Sequence, residues 1–136
     1  MTQKRPPRVT GPGHDTFWEG CAKGELRIQK CEACGHRPWP VVAKCEQCGS
    51  DKLAFQPVSG KGTLASWCTF ERPYYGELLP VPYDTIVVEL EEGPWFISNP
   101  SGFANSDAML GMPVKVAFLD CEDQHGQYAL PVFERA

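Results

Sequence analysis

At 136 residues the chain has room for one modest domain or two very small ones, and 13 glycines with 13 prolines argue for strands and turns over long helices. No apolar run approaches the eighteen or so residues that cross a bilayer, which excludes a transmembrane helix. The net charge of −4 is unevenly placed, +4 over residues 1–61 and −8 over residues 62–136, so a polyanion would be drawn to the first half and repelled by the second.

Residues 1–13, MTQKRPPRVTGPG, are basic and rich in Pro and Gly, the composition of a flexible tail. The stretch TFWEGCAKG then reads as a short helix within residues 14–25. Thr16 and Glu19 have the spacing of a T-x-x-E capping box, and Gly24 stands where the helix should stop. Phe17 and Trp18 cannot stabilise so short a helix alone, which marks it as a docking element. LRIQK, 26–30, is a strand leading into the first cysteine.

Four of the seven cysteines fall in CEACGHRPWPVVAKCEQCG, residues 31–49. Each CxxC curls two thiolates around one point, and Gly35 and Gly49 follow where the chain must turn with positive φ. The pairs Cys31/Cys34 and Cys45/Cys48 together supply the four ligands of a tetrahedral thiolate site. Disulfides belong to oxidising compartments, and no signal-peptide core opens the chain. A redox pair would need one CxxC in a βαβ setting, and neither pair has one. Zinc needs no redox partner and is the expected ion; iron in a rubredoxin-like site uses the same ligands. Four cysteines close the coordination shell, so the metal is a staple and not a catalyst. Pro38 and Pro40 forbid a helix between the pairs, and HRPWPVVAK reads as an extended hairpin, which makes residues 26–55 a zinc ribbon. Cys21, Cys68 and Cys121 are scattered and expected to be reduced and buried, as in a cytoplasmic protein.

From residue 56 to 136 the hydrophobic period becomes two. GTLASWCTFE (62–71), DTIVVELE (84–91), PWFISN (94–99), PVKVAFL (113–119) and YALPVFE (128–134) are five strands, with a tight turn at Glu91-Glu92-Gly93. ANSDAML reads as a turn or two of helix capped by Asn105 or Ser106 and ended by Gly111. Five strands with a small helix between the third and fourth is the element order of an OB-fold barrel. The loop RPYYGELLPVPYD, 72–84, is long for a small barrel and carries Tyr74, Tyr75, Leu78 and Leu79. It either folds back to plug the barrel or forms a surface for a partner.

The motifs FWEG, LRIQKCEACG, CEQCGS, PVSGKGTLASW, PYDTIVVELEEGP and GMPVKVAF, in that order from residue 17, resemble one family. It is the acyl-CoA-associated family that joins a rubredoxin-like zinc ribbon to an OB-fold, first catalogued as a domain of unknown function. The resemblance implies a mainly β chain: a short helix, a ribbon, then a five-stranded barrel. It also implies a non-catalytic subunit assembling with a thiolase-superfamily enzyme (a thiolase, an acyltransferase or a thiolase-like aldolase of steroid side chains), or in some systems with a hotdog-fold hydratase. Its OB-fold would help bind or pass on the coenzyme A thioester. Cys31, Cys34, Cys45 and Cys48 match the family's zinc ligands residue by residue.

The residues themselves point the same way. His14, His36 and His125 fall in turns or the tail, and no nucleophile–base pair is apparent. Phe17, Trp18, Tyr74, Tyr75, Leu78 and Leu79 are the expected partner surface. Phosphates of coenzyme A would be met in the basic half, by Arg37, Lys44 and Lys61. The rival reading is a single-stranded nucleic-acid module with Trp67, Phe70, Tyr74 and Trp95 stacking bases. It needs a positive groove, and the barrel half carries −8.

Overall fold

The structure, a computed structural model, describes residues 2–136. In chain order its elements are β1 (Gln3–Lys4), α1 (His14–Ala22), β2 (Arg27–Cys31), β3 (Leu53–Pro57), β4 (Lys61–Phe70), β5 (Tyr83–Leu90), β6 (Trp95–Ser98), β7 (Pro113–Asp123) and β8 (Gly126–Arg135). Two 3-10 turns lie at Gly76–Leu78 and Asn105–Asp107.

The five strands read from the period-two pattern form the barrel, paired antiparallel in the order β6-β5-β4-β7-β8. Alternation sends Leu64, Ile86, Val88, Leu90, Phe96, Val114 and Phe133 inward, all buried. Gly62 lets β4 lie close on β5: a Cβ there would come within 2.5 Å of the Glu89 carbonyl. The barrel closes where β6 runs out. Phe133 donates its amide to the Asn99 carbonyl (3.1 Å), and its carbonyl accepts from Ser101 (2.8 Å). Ser98 Oγ donates to the Pro131 carbonyl at 2.9 Å. Among the described residues no ladder joins Trp95–Ile97 to β8, so the barrel wall stays open there. This is the OB-fold order, closed at one end.

β2 and β3 form a separate antiparallel pair, Arg27↔Pro57 to Cys31↔Leu53, that carries the ribbon. The extended hairpin expected over 36–44 does not form. Buried Gln29 takes the place of a strand partner instead, bonding the Val42 amide and carbonyl at 2.9 Å each. Trp39 then stacks on Phe96 (4.9 Å) and contacts Phe17 (5.0 Å), tying the ribbon to barrel and helix.

Three further expectations are corrected. The helix begins at His14, and Thr16 and Glu19 lie inside it; its start is set by the Gly11 carbonyl, which accepts from His14 and Asp15, while Asp15 Oδ1 accepts from the Gly11 amide. Its end is as read. Gly24 at φ 75° lets Gly24 bond back to Cys21, and Glu25 to Gly20. The second helix shrinks to the turn Asn105–Asp107, because the Asn105 side chain donates to the Cys68 carbonyl and its amide donates to Asp84. Cys68 is exposed, whereas Cys21 and Cys121 are buried.

The segment expected to be a flexible tail lies along β7. Gln3 and Lys4 pair in parallel with Cys121 and Glu122, and Arg5 donates its amide to the Glu122 carbonyl. Arg8 reaches the fully buried Asp123 carboxylate with its amide (3.0 Å) and its guanidinium (3.1 Å), which also sits over the Tyr128 ring at 4.3 Å. Trp18 Nε1 holds the Val9 carbonyl at 2.9 Å. We refer to residues 3–9 as the strap. Burial alone would raise the Asp123 carboxyl, but the Arg8 and His125 amides and the Arg8 charge outweigh it and hold it below the ordinary aspartate value. A depressed acid stabilises the folded state fully above its unfolded pKa and loses that contribution as pH falls through the folded value. The strap should therefore stay anchored at neutral pH and loosen only below about pH 4. Amide exchange over residues 3–8 checks this. Asp123→Asn should raise exchange there at pH 7, and wild-type exchange that rises between pH 7 and 5 would contradict it.

Candidate metal centre and apolar groove

The two CxxC turns are built alike. Gly35 donates to the Cys31 carbonyl and Gly49 to the Cys45 carbonyl, both at 2.8 Å. The Cys31 amide donates to His36 (2.7 Å), as the Cys45 amide does to Ser50 (2.8 Å). Gly35 and Gly49 have φ of 81° and 77°, the left-handed region open to glycine, as the spacing required. The four Sγ atoms lie within 4.8 Å of one another, with Cys31–Cys48 at 3.5 Å and Cys34–Cys45 at 3.6 Å. Four sulfurs at about 2.3 Å from one tetrahedral ion would stand roughly 3.8 Å apart, so the set fits a metal ion. The Cys34 amide, helped by that of Ala33, favours thiolate at Cys31 and brings its thiol down to about 6. Cys31 and Cys45 are buried, Cys34 and Cys48 exposed. Away from this cluster, burial pushes Cys21 up to about 12, where it is an inert core thiol.

A second feature lies in the open wall between β6 and β8. It is a groove of about 470 Å³, floored by Phe17, Trp18 and Phe96 and walled by Trp39, Leu130 and the strap. Tyr75 and Leu79 of the 72–84 loop reach its rim. Arg5 lines it and holds Asn99 Oδ1 at 3.2 Å. Asn99 in turn donates to the Asp84 carbonyl at 2.7 Å, so the strap and the base of the loop share one residue.

The expected partner surface divides. Phe17 is buried between Trp39 and Phe96, and the half-buried Trp18 meets the Tyr128 ring edge-on, so both pack on the chain itself. Leu79 is buried, while Tyr74, Tyr75 and Leu78 are 66%, 52% and 39% exposed around the Gly76–Leu78 turn. The loop both plugs and displays. On β6, Trp95 and Ile97 are also exposed. None of Arg37, Lys44 and Lys61 lines the groove. Lys61 borders a separate depression with Lys115, Glu89 and Glu91, Lys44 is exposed, and one Arg37 guanidinium nitrogen is buried without a partner. Sequence reasoning passed over Arg5, Arg8 and the groove, because nothing local in RPPR announces a carboxylate 115 residues away.

Residues 18–54 match the family described as the ChsH2 rubredoxin-like zinc ribbon domain, and residues 55–119 the ChsH2 C-terminal OB-fold domain. Over its whole length the chain is 30% identical to a probable enoyl-CoA hydratase alpha subunit of Thermomonospora curvata, covering 43% of that protein. It is 33% identical over 107 residues to the 3-oxo-4,17-pregnadiene-20-carboxyl-CoA hydratase alpha subunit of Mycobacterium tuberculosis, covering 34% of it. The chain thus spans less than half the length of these two relatives. A DUF35 domain-containing scaffold protein of Pyrococcus furiosus is 32% identical over 87 residues, which are 64% of this chain and 63% of that one. Among solved structures, a chain of the Ltp2-ChsH2(DUF35) aldolase superposes with a TM-score of 0.81 at 28% identity, covering 95% of this chain and 98% of that one. A DUF35-family protein of Sulfolobus solfataricus shares the fold, with a TM-score of 0.57 at 19% identity over 79% of this chain and 78% of that one. No helix among the described residues is long and apolar enough to cross a membrane.

Proposed function

The chain belongs to the ChsH2-type family in which a rubredoxin-like zinc ribbon leads into an OB-fold, and on that premise we propose that it is a non-catalytic accessory subunit of a thiolase-superfamily enzyme. The partner is a thiolase, an acyltransferase or a thiolase-like aldolase, and this chain helps hold an acyl-CoA thioester at the shared interface. The observation that carries the reading is the near-complete superposition on a chain of the Ltp2-ChsH2(DUF35) aldolase. The hydratase alpha-subunit relatives favour a second partner, a hotdog-fold hydratase. One zinc ion on Cys31, Cys34, Cys45 and Cys48 stiffens the ribbon, and seven unpaired cysteines suit a reducing, cytoplasmic setting.

In such an assembly the partner brings nucleophile and base, and this subunit contributes by positioning. Fixing a thioester against a reacting group removes several kcal/mol of a barrier without any new chemistry. Tyr74, Tyr75 and Leu78 are the docking residues, placed on a turn that the buried Leu79 anchors. The test is reconstitution with a co-encoded thiolase-superfamily enzyme. The chain alone should not turn over an acyl-CoA, the partner alone should be inactive or unstable, and the mixture should co-elute and react. Thioester cleavage or C–C bond formation by this chain alone, surviving EDTA and repurification, would sink the accessory reading.

A further inference from the structure

The geometry points to the groove between β6 and β8 as a site for an apolar acyl group, with Arg5 meeting the oxygen at its carbonyl end. About 470 Å³ is within the size range of small-molecule sites, which are mostly apolar with a few placed polar groups. Here the apolar part is Phe17, Trp18, Trp39, Phe96 and Leu130. The polar lining includes His14, Tyr75, Ser98, Asn99 and Tyr128, and its two guanidinium groups are those of Arg5 and Arg8. Arg8 also lines the groove, but Asp123 neutralises it. Arg5 makes a single side-chain bond, to the neutral Asn99, and among the described residues no carboxylate lies within 4.0 Å of it. A guanidinium has five donors and keeps its charge at any ordinary pH, so Arg5 retains spare donors and a positive charge at the lining of a largely apolar channel. The complement of that arrangement is an apolar body ending in an oxygen acceptor.

Two sources present this chemistry: a free carboxylic acid and a thioester of coenzyme A. The thioester rests on the accessory reading above, and the groove itself does not. Arg5 belongs to the strap, outside residues 18–119 that carry the family match, so the cationic end is supplied by this chain's own N-terminal segment. The arrangement also moves the expected anion contact away from Arg37, Lys44 and Lys61, none of which lines the groove.

Trp18 and Trp39 line the groove and Trp67 and Trp95 do not, so intrinsic fluorescence of the full chain reports its occupancy. The probes are decanoate, decanoyl-CoA and coenzyme A alone. Saturable quenching by decanoate, by decanoyl-CoA or by both supports the groove, and which of them binds names the source. Arg5→Ala should weaken decanoate about tenfold, whereas Arg5→Lys should stay within about threefold of wild type. The Lys variant keeps the charge and controls for loss of the Asn99 bond. No saturable quenching by either acyl probe, an equal response to coenzyme A alone, or unchanged affinity in Arg5→Ala overturns the inference. Co-elution with the thiolase-like partner is read separately. Quenching without co-elution keeps the groove and discards the accessory role; co-elution without quenching does the reverse.

Discussion

Serine in place of any one of Cys31, Cys34, Cys45 or Cys48 is expected to give insoluble or partner-free protein that has lost its metal. Residues 32–52 contain no strand; their backbone bonds are mostly those of the two CxxC turns, and Gln29 holds Val42 from outside. A metal ion on the four cysteines would tie the two turns to each other. Structural zinc in small ribbons is worth about 10–16 kcal/mol at neutral pH, and that binding energy is folding energy. Three remaining thiolates hold the ion far less tightly. The damage would not stop at the ribbon, because Trp39 hangs from it and stacks on Phe96 in the barrel core. Elemental analysis and circular dichroism of wild type and variants check this. Well-folded wild-type protein with less than about half an equivalent of metal would refute the staple, since four cysteines make one site. A red, iron-loaded preparation would change the metal and keep the site.

The second large effect concerns assembly. Changing Tyr74 and Tyr75 together to Ser should weaken association with the proposed thiolase-like partner by about two to three orders of magnitude. Tyrosines at interface centres often cost about 2 kcal/mol each when truncated, and every 1.4 kcal/mol is tenfold. Both rings are more than half exposed, so the isolated chain should keep its zinc content and its melting behaviour. Leu78→Asp should act in the same direction by placing a charge in the patch. Trp18→Ala has a different expected consequence from the one its sequence suggested. Trp18 holds Val9 and packs on Tyr128, so its loss should free the strap first. Equal co-elution of wild type and the tyrosine double variant on size exclusion would show that the turn is not the docking surface.

The parts of this molecule that could be read in advance are those whose cause is local. Two CxxCG turns specify their own geometry, because the ligand spacing and the positive-φ glycine are neighbours in sequence. The barrel strands announce themselves by period two, as in Ile86, Val88 and Leu90, all buried on one face. The misses are non-local. HRPWPVVAK was expected to pair with itself, but a buried glutamine from another strand claimed it. The capping box lost to Gly11 and Asp15, which formed a start three residues earlier. That Phe17 and Trp18 also pack on the chain itself was equally hidden, since a nine-residue helix cannot show from its own sequence that a barrel opening is waiting for it. The 72–84 loop offered two readings, and its own sequence does not show that Leu79 is buried while Tyr74 is left exposed.

The strap also orders events in time. Gln3 and Lys4 lie 118 positions from their partners Cys121 and Glu122. Arg8 waits across 115 positions for Asp123, and closing so long a loop for a two-residue parallel pair offers little return until β7 and β8 are already in place. The wall that carries Arg5 is thus completed only after the strands around it have folded. Folding intermediates in which β8 has not yet paired would leave Trp18 without the Tyr128 ring and the groove without one wall, so the late stage of folding is where this apolar surface is most open to misassociation.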